Sequence, residues 1–126
     1  MNYLLDTHVL LWAAAGILSP SVAKYIENES NVLYFSSVSI WEVVIKRRLN
    51  KKDFEIEPIL FYQGLRSAGY KELPVTGQHA LAVERLPALH KDPFDRLLIA
   101  QAISEELLFL TADKIVARYT GPIIHV

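Results

Sequence analysis

The chain has 126 residues, enough for one domain with a core that buries about two thirds of the unfolded surface without disulfide or zinc support. A hydrophobic content of 52% excludes general disorder, and the lack of cysteine excludes thiol catalysis, zinc ribbons and iron–sulfur chemistry. Thirteen basic against fourteen acidic residues give a net charge of −1, which carries no global signal for nucleic-acid binding.

Residues 2–6 form a short apolar run that stops at Asp6 and predict a buried strand. Residues 7–15 are apolar nearly all round and predict a buried helix ended by Gly16. The run 9–15 is too short to span a bilayer. The first basic residue is Lys24, and Asp6 sits where an apolar signal core would begin, so the sequence reads as a cytoplasmic protein with no membrane segment. Ser19-Pro20 supplies an N-cap and a proline at the first helical position for a helix to about Glu29. Residues 32–36 are rich in β-formers and predict a second strand. Ser39-Ile40-Trp41-Glu42 has capping-box spacing and opens a helix to about Arg48.

After a polar connection, Glu57-Pro58 starts a helix that stops near Gly69, and residues 70–75 predict a short strand. A helix from about Gly77 to Glu84 is closed off by Pro87. Asp92-Pro93 caps and starts a helix to Glu106, with apolar spacing at Leu97, Leu98, Ala100, Ala102 and Ile103. Residues 107–110 predict a strand, 111–113 a turn, 114–119 a short helix and 123–126 a last strand. Strands alternating with helices, each strand a continuous apolar run, predict an α/β three-layer sandwich: a mostly parallel sheet covered on both faces, in a single domain over residues 1–126.

The acids fall at telling places. Asp6 ends the first strand, Glu42 and Asp95 fall in first turns of helices, and Asp113 lies just past the strand at 107–110. Singly, each has an ordinary reading as a helix cap, a dipole partner or a turn residue. Together they project from four segments toward the carboxyl edge of a parallel sheet, where α/β proteins bind ligands. Clustered carboxylates repel one another unless cations join them, and an oxygen-only donor set suits Mg2+ or Mn2+. Such a site serves phosphodiester hydrolysis, in which water attacks phosphorus in line.

With those four set aside, ten acids face thirteen bases, a balance of +3. Lys46, Arg47, Arg48, Lys51 and Lys52 cluster on and just after the helix that carries Glu42. They are candidate RNA-backbone contacts, or cations decorating a helix C-terminus. Arg96 is a further candidate phosphate contact or ion-pair partner. His8 and His90 have weaker claims to the site, and Trp12 and Trp41 read as core or interface anchors.

Four pieces in this order resemble the PIN-domain ribonucleases, and most closely the VapC-type toxins of bacterial toxin–antitoxin pairs. They are Leu4-Leu5-Asp6-Thr7-His8, Ser37-Val38-Ser39-Ile40-Trp41-Glu42, the run His90-Lys91-Asp92-Pro93-Phe94-Asp95-Arg96-Leu97-Leu98-Ile99-Ala100-Gln101-Ala102, and Leu110-Thr111-Ala112-Asp113. The resemblance covers essentially the whole chain, and the long run is its most specific part. It implies a magnesium- or manganese-dependent endoribonuclease that hydrolyses RNA, often transfer or ribosomal RNA, with magnesium-activated water. It also implies a cognate antitoxin that blocks the pocket, and family members often form homodimers. Carried over by motif, Asp6 and Asp95 are the principal metal ligands, Glu42 and Asp113 complete the pocket, and Thr7 and Thr111 orient the acids. Asp92 is an alternative to Asp95, which is the better match by its place before Arg-Leu-Leu-Ile-Ala.

Two other readings stand beside this one. A catalytically silent PIN-like RNA- or partner-binding module has no need of four repelling carboxylates. A receiver-like signalling domain would prefer an acid pair after the first strand, where Thr7 and His8 stand here. The five glycines form neither a P-loop nor a G-x-G-x-x-G turn.

Overall fold

The computed structural model describes residues 1–126. Strands β1 (Asn2–Leu5), β2 (Val32–Ser36), β3 (Lys71–Leu73), β4 (Leu108–Thr111) and β5 (Ile123–His125) form one sheet in the order β3-β2-β1-β4-β5. Every neighbouring pair is parallel. Chain direction across the sheet reverses at β1, which pairs with β2 on one side and β4 on the other. This differs from the 2-1-3-4-5 order of receiver-type sheets and places a switch point between β1 and β4.

Side chains alternate across the sheet, so each strand feeds two cores. Tyr3, Leu5, Leu33, Phe35 and Leu110 pack on one face with helices α1 (Thr7–Ala15), α2 (Pro20–Ile26) and α4 (Pro58–Ser67). Leu4 and Phe109 point to the opposite face, against Leu98, Ile99 and Ala102 of helix α6 (Pro93–Ser104). Helix α3 (Ser37–Arg48) serves both, through Val38 on one side and Val43 on the other. Helix α5 (Gly77–Ala82) packs on α6. The edge strands β3 and β5 have three residues each. β3 carries Lys71 and Glu72, which blunts it against pairing with other chains. No single helix is long and apolar enough to cross a membrane.

Most element bounds shift by one to three residues from those the sequence predicts, and one shift matters. Helix α3 starts at Ser37, with Ser36 as its cap accepting from the Val38 N–H at 3.1 Å. Ser39 is therefore inside the helix rather than its cap, and Glu42 stands in the second turn instead of the first. The Ser-x-x-Glu pattern misleads because the Ser39 hydroxyl bonds Thr7 of another helix, at 2.8 Å, instead of its own backbone. The helix expected to reach Glu29 stops at Ile26, and the segment after β4 forms only a 3-10 turn over Val116–Arg118.

Gly16 ends α1 in the left-handed region at φ 71°. Its N–H donates to the Ala13 carbonyl at 3.2 Å, and the next N–H, of Ile17, to that of Trp12 at 3.0 Å. A Cβ there would meet no neighbour within 4 Å, so only backbone strain opposes a side chain. Gly16→Ala is expected to cost about 1 kcal/mol in urea unfolding; a neutral effect would show that this cap relaxes freely.

Candidate metal centre

The acids meet beyond the carboxyl ends of β1 and β4, whose junction is closed by the Asp6 N–H donating to the Leu110 carbonyl at 2.9 Å. Asp6 holds the N-cap position of α1, yet its carboxylate makes no capping bond. Instead Oδ2 accepts from the buried Thr111 hydroxyl at 2.6 Å. Thr111 Oγ1 in turn accepts from the Asp113 N–H at 3.0 Å, so one hydroxyl fixes both Asp6 and the turn that carries Asp113. Burial raises the Asp6 pKa, and the Glu42 charge adds to it, against the pull of the Thr111 hydroxyl and of His8.

Glu42 is buried with both oxygens engaged. Oε1 accepts from the Thr7 hydroxyl at 2.7 Å, and Oε2 meets the Lys46 ammonium at 2.6 Å. A hydroxyl has one hydrogen, so Thr7 donates to Glu42 and Ser39 donates to Thr7.

Asp95 is the third residue of α6. Asp92 is the cap: its Oδ1 accepts from the Phe94 N–H at 2.8 Å and the Asp95 N–H at 3.4 Å. Oδ1 of Asp92 is thus occupied by the helix cap, whereas neither oxygen of Asp95 caps the helix. The Asp95 pKa is pushed up to about 8, first by burial and then by the charges of Asp6, Asp92, Glu42 and Asp113. Asp113 goes the other way. Although partial burial opposes it, the Val116 and Ile115 N–H groups donate to its carboxylate and lower its pKa, helped by His90.

His90 Nε2 lies 3.0 Å from Asp95 Oδ2 and 3.3 Å from Asp113 Oδ2. Its Nδ1 accepts from the Asp92 N–H at 3.1 Å, so the neutral ring carries its hydrogen on Nε2 and donates toward the two acids. Side-chain atoms of His90, Asp95 and Asp113 that could hold a metal ion lie within 4.8 Å of one another, a group that includes neither Asp6 nor Glu42. The donor set fits a hard divalent cation. Carboxylate oxygens dominate, the charged form of Asp95, opposed first by burial and then by its acidic neighbours, is one that a dication would favour, and the one imidazole is turned to donate.

The basic candidates divide by position. The Lys46 side chain lies inside the pocket, half-buried. Arg47 is 3.8 Å from Glu57, and Arg48, Lys51 and Lys52 are exposed at the end of α3. Arg96 is held inside the fold, donating to the Pro87 carbonyl at 2.9 Å, the Val83 carbonyl at 3.2 Å and Tyr119 Oη at 3.3 Å. His8 stacks edge-on against Phe54, with ring centroids 5.2 Å apart. Trp12 packs on the first core, whereas Trp41 is 60% exposed and touches Phe94. Sequence reasoning missed the inward placement of Lys46, although its i,i+4 spacing from Glu42 is the signature of such a pair. It also missed Ser39 as a partner of Thr7, for which the sequence carries no signal.

A family model described as PIN domain matches residues 3–122. No curated protein sequence matches the chain. Among solved structures, the chain is similar to VapBC2 from Rickettsia felis, bound to a DNA fragment from its promoter. The TM-score is 0.74 at 17% identity, over 100% of this chain and 99% of the other. DNA-bound VapBC from Salmonella typhimurium gives a TM-score of 0.72 at 17% identity, covering 99% and 98%. PAE2754 from Pyrobaculum aerophilum gives 0.58 at 23% identity, covering 98% and 83%.

Proposed function

We propose, on the premise that the chain belongs to the PIN domain family, that it is a magnesium- or manganese-dependent endoribonuclease and the toxin of a toxin–antitoxin pair. The observation that carries this reading is the convergence of four acids from four segments, with Asp95 raised to about 8 by burial and by its neighbours' charges. The similarity to VapBC chains supports an antitoxin partner. Placement of the protein in the cytoplasm, and RNA as its substrate, follow from the same reading.

Bound Mg2+ or Mn2+ supplies charge for the scissile phosphate and for the attacking water. The protein's own residues set the geometry. Asp6, just past β1, and Asp95, on α6, would hold the ion, and Thr111 fixes the rotamer of Asp6. Glu42 is held by Thr7 and Lys46, and Asp113 by the N–H groups of its own turn. Arg48, Lys51 and Lys52 offer cations at the open end of α3 for an RNA backbone. In-line attack by water leaves a 5′-phosphate and a 3′-hydroxyl.

The test is cleavage of total cellular RNA by the purified, partner-free protein with magnesium, with manganese and with a chelator. Metal-dependent cuts with 5′-phosphate ends support the reading. A 2′,3′-cyclic phosphate end sinks the water mechanism. RNA binding without cleavage by folded, metal-loaded protein favours a silent binding module. Thr111→Val keeps shape but removes the donor to Asp6. It is expected to weaken manganese binding about 10- to 100-fold by calorimetry, and unchanged affinity would remove Asp6 from the ligand set.

A further inference from the structure

Lys46 is the one lysine whose ammonium lies among the pocket acids. Nζ is 2.6 Å from Glu42 Oε2 and 3.6 Å from Asp92 Oδ2. Neither acid is free to move away from it. The other oxygen of Glu42 is taken by Thr7, and the other oxygen of Asp92 caps α6. The ammonium also lies 5.0 Å from the centroid of the Phe54 ring and 5.7 Å from that of Phe94, the latter braced edge-on by Trp41. Two carboxylates and two aromatic rings thus enclose a single fixed positive charge.

The pocket is thereby divided. On one side Glu42 and Asp92 already have a cation. On the other, Oδ2 of Asp95 and Oδ2 of Asp113 share the N–H of His90 and have no lysine or arginine beside them, while Asp113 Oδ1 is taken by the Ile115 and Val116 N–H groups. Arg96 cannot redress the balance, because it is committed to two backbone carbonyls and a tyrosine hydroxyl.

We propose that the Lys46 ammonium is a built-in second cation, so that the pocket takes one divalent ion per chain, on the Asp95–Asp113 side. The inference rests on the metal-dependent reading above and deepens it. A dication on the Glu42–Asp92 side must either expel the ammonium from both carboxylates or sit against it, and both are unfavourable. Lys46 is then a positioning residue that holds Glu42 and supplies the charge of a second ion toward a bound phosphate.

The test is a manganese titration of the full chain, with free ion followed by electron paramagnetic resonance, on wild type, Lys46→Arg, Lys46→Met and Asp95→Asn. One ion per chain is expected for wild type and for Lys46→Arg, which keeps the charge. Two are expected for Lys46→Met, where Glu42 and Asp92 are left without a cation. If Lys46→Met does not fold, the wild-type and Lys46→Arg stoichiometries decide. Two ions in wild type, with one lost in Asp95→Asn, overturn the role of Lys46 and leave the metal centre standing. One ion in folded Lys46→Met also overturns it. No binding by wild type overturns the metal centre and the inference together.

Discussion

Asp95→Asn is expected to lower metal-dependent RNA cleavage by more than about 100-fold, the loss that partners one shell outside a metal ion already cause. The substitution is nearly isosteric. It leaves the α6 cap intact, because the capping oxygen belongs to Asp92. The amide retains an oxygen toward His90 but loses the charge that a dication needs. Fold and catalysis are therefore separable at this position. Equal cleavage by mutant and wild type would mean that the cuts come from another nuclease or that Asp95 lies outside the site. The parallel change Asp92→Asn is expected to act through the helix cap and the Lys46 contact, and so to affect stability along with activity.

The second large effect is on stability without metal. Asp95 has its pKa raised to about 8 in the fold, against an ordinary value of 3.8. An acid with a raised folded pKa favours the native state fully below its unfolded pKa and loses that contribution as pH rises through the folded value. The metal-free protein is therefore expected to lose stability progressively from about pH 4 to about pH 8 and to level off above it, by on the order of a few kcal/mol. Asp6, also raised, adds in the same direction. Asp113 is lowered, so its contribution is present above its unfolded pKa and is lost as pH falls through the folded one. Chemical unfolding at pH 5 and pH 8.5 in chelator measures the slope. Asp95→Asn should flatten it and be the more stable protein at pH 8.5. Saturating magnesium should restore wild type there and move the mutant far less. A wild-type slope unchanged by the mutation would show that Asp95 ionises freely.

The sheet was legible because its strands are apolar runs separated by capped helices, and the strand ends put Asp6 and Asp113 where a parallel sheet presents ligand groups. Helix starts were legible where proline follows the cap, at Ser19-Pro20, Glu57-Pro58 and Asp92-Pro93. They failed at α3, where two serines compete and the choice depends on Thr7, a residue on another helix. The same limit governs charge. In a sequence, Arg96 and Lys46 look alike, each a base within four residues of an acid. Only the three-dimensional neighbours show that one is bonded to backbone carbonyls and the other to Glu42. Likewise, His90 gains its place only because Asp92 fixes its Nδ1 and Tyr119 accepts its backbone N–H at 2.9 Å.

The hydroxyl of Thr111 and the carboxylate of Asp6 lie 105 positions apart in sequence. β1 is completed on its second side only by β4, so the chain must close a very long loop before either partner is satisfied. Folding is accordingly expected to be slow, and a chain with β1, β2 and their helices in place still has no assembled centre. Any ion that these acids bind would therefore be held only once β4 and α6 have joined β1.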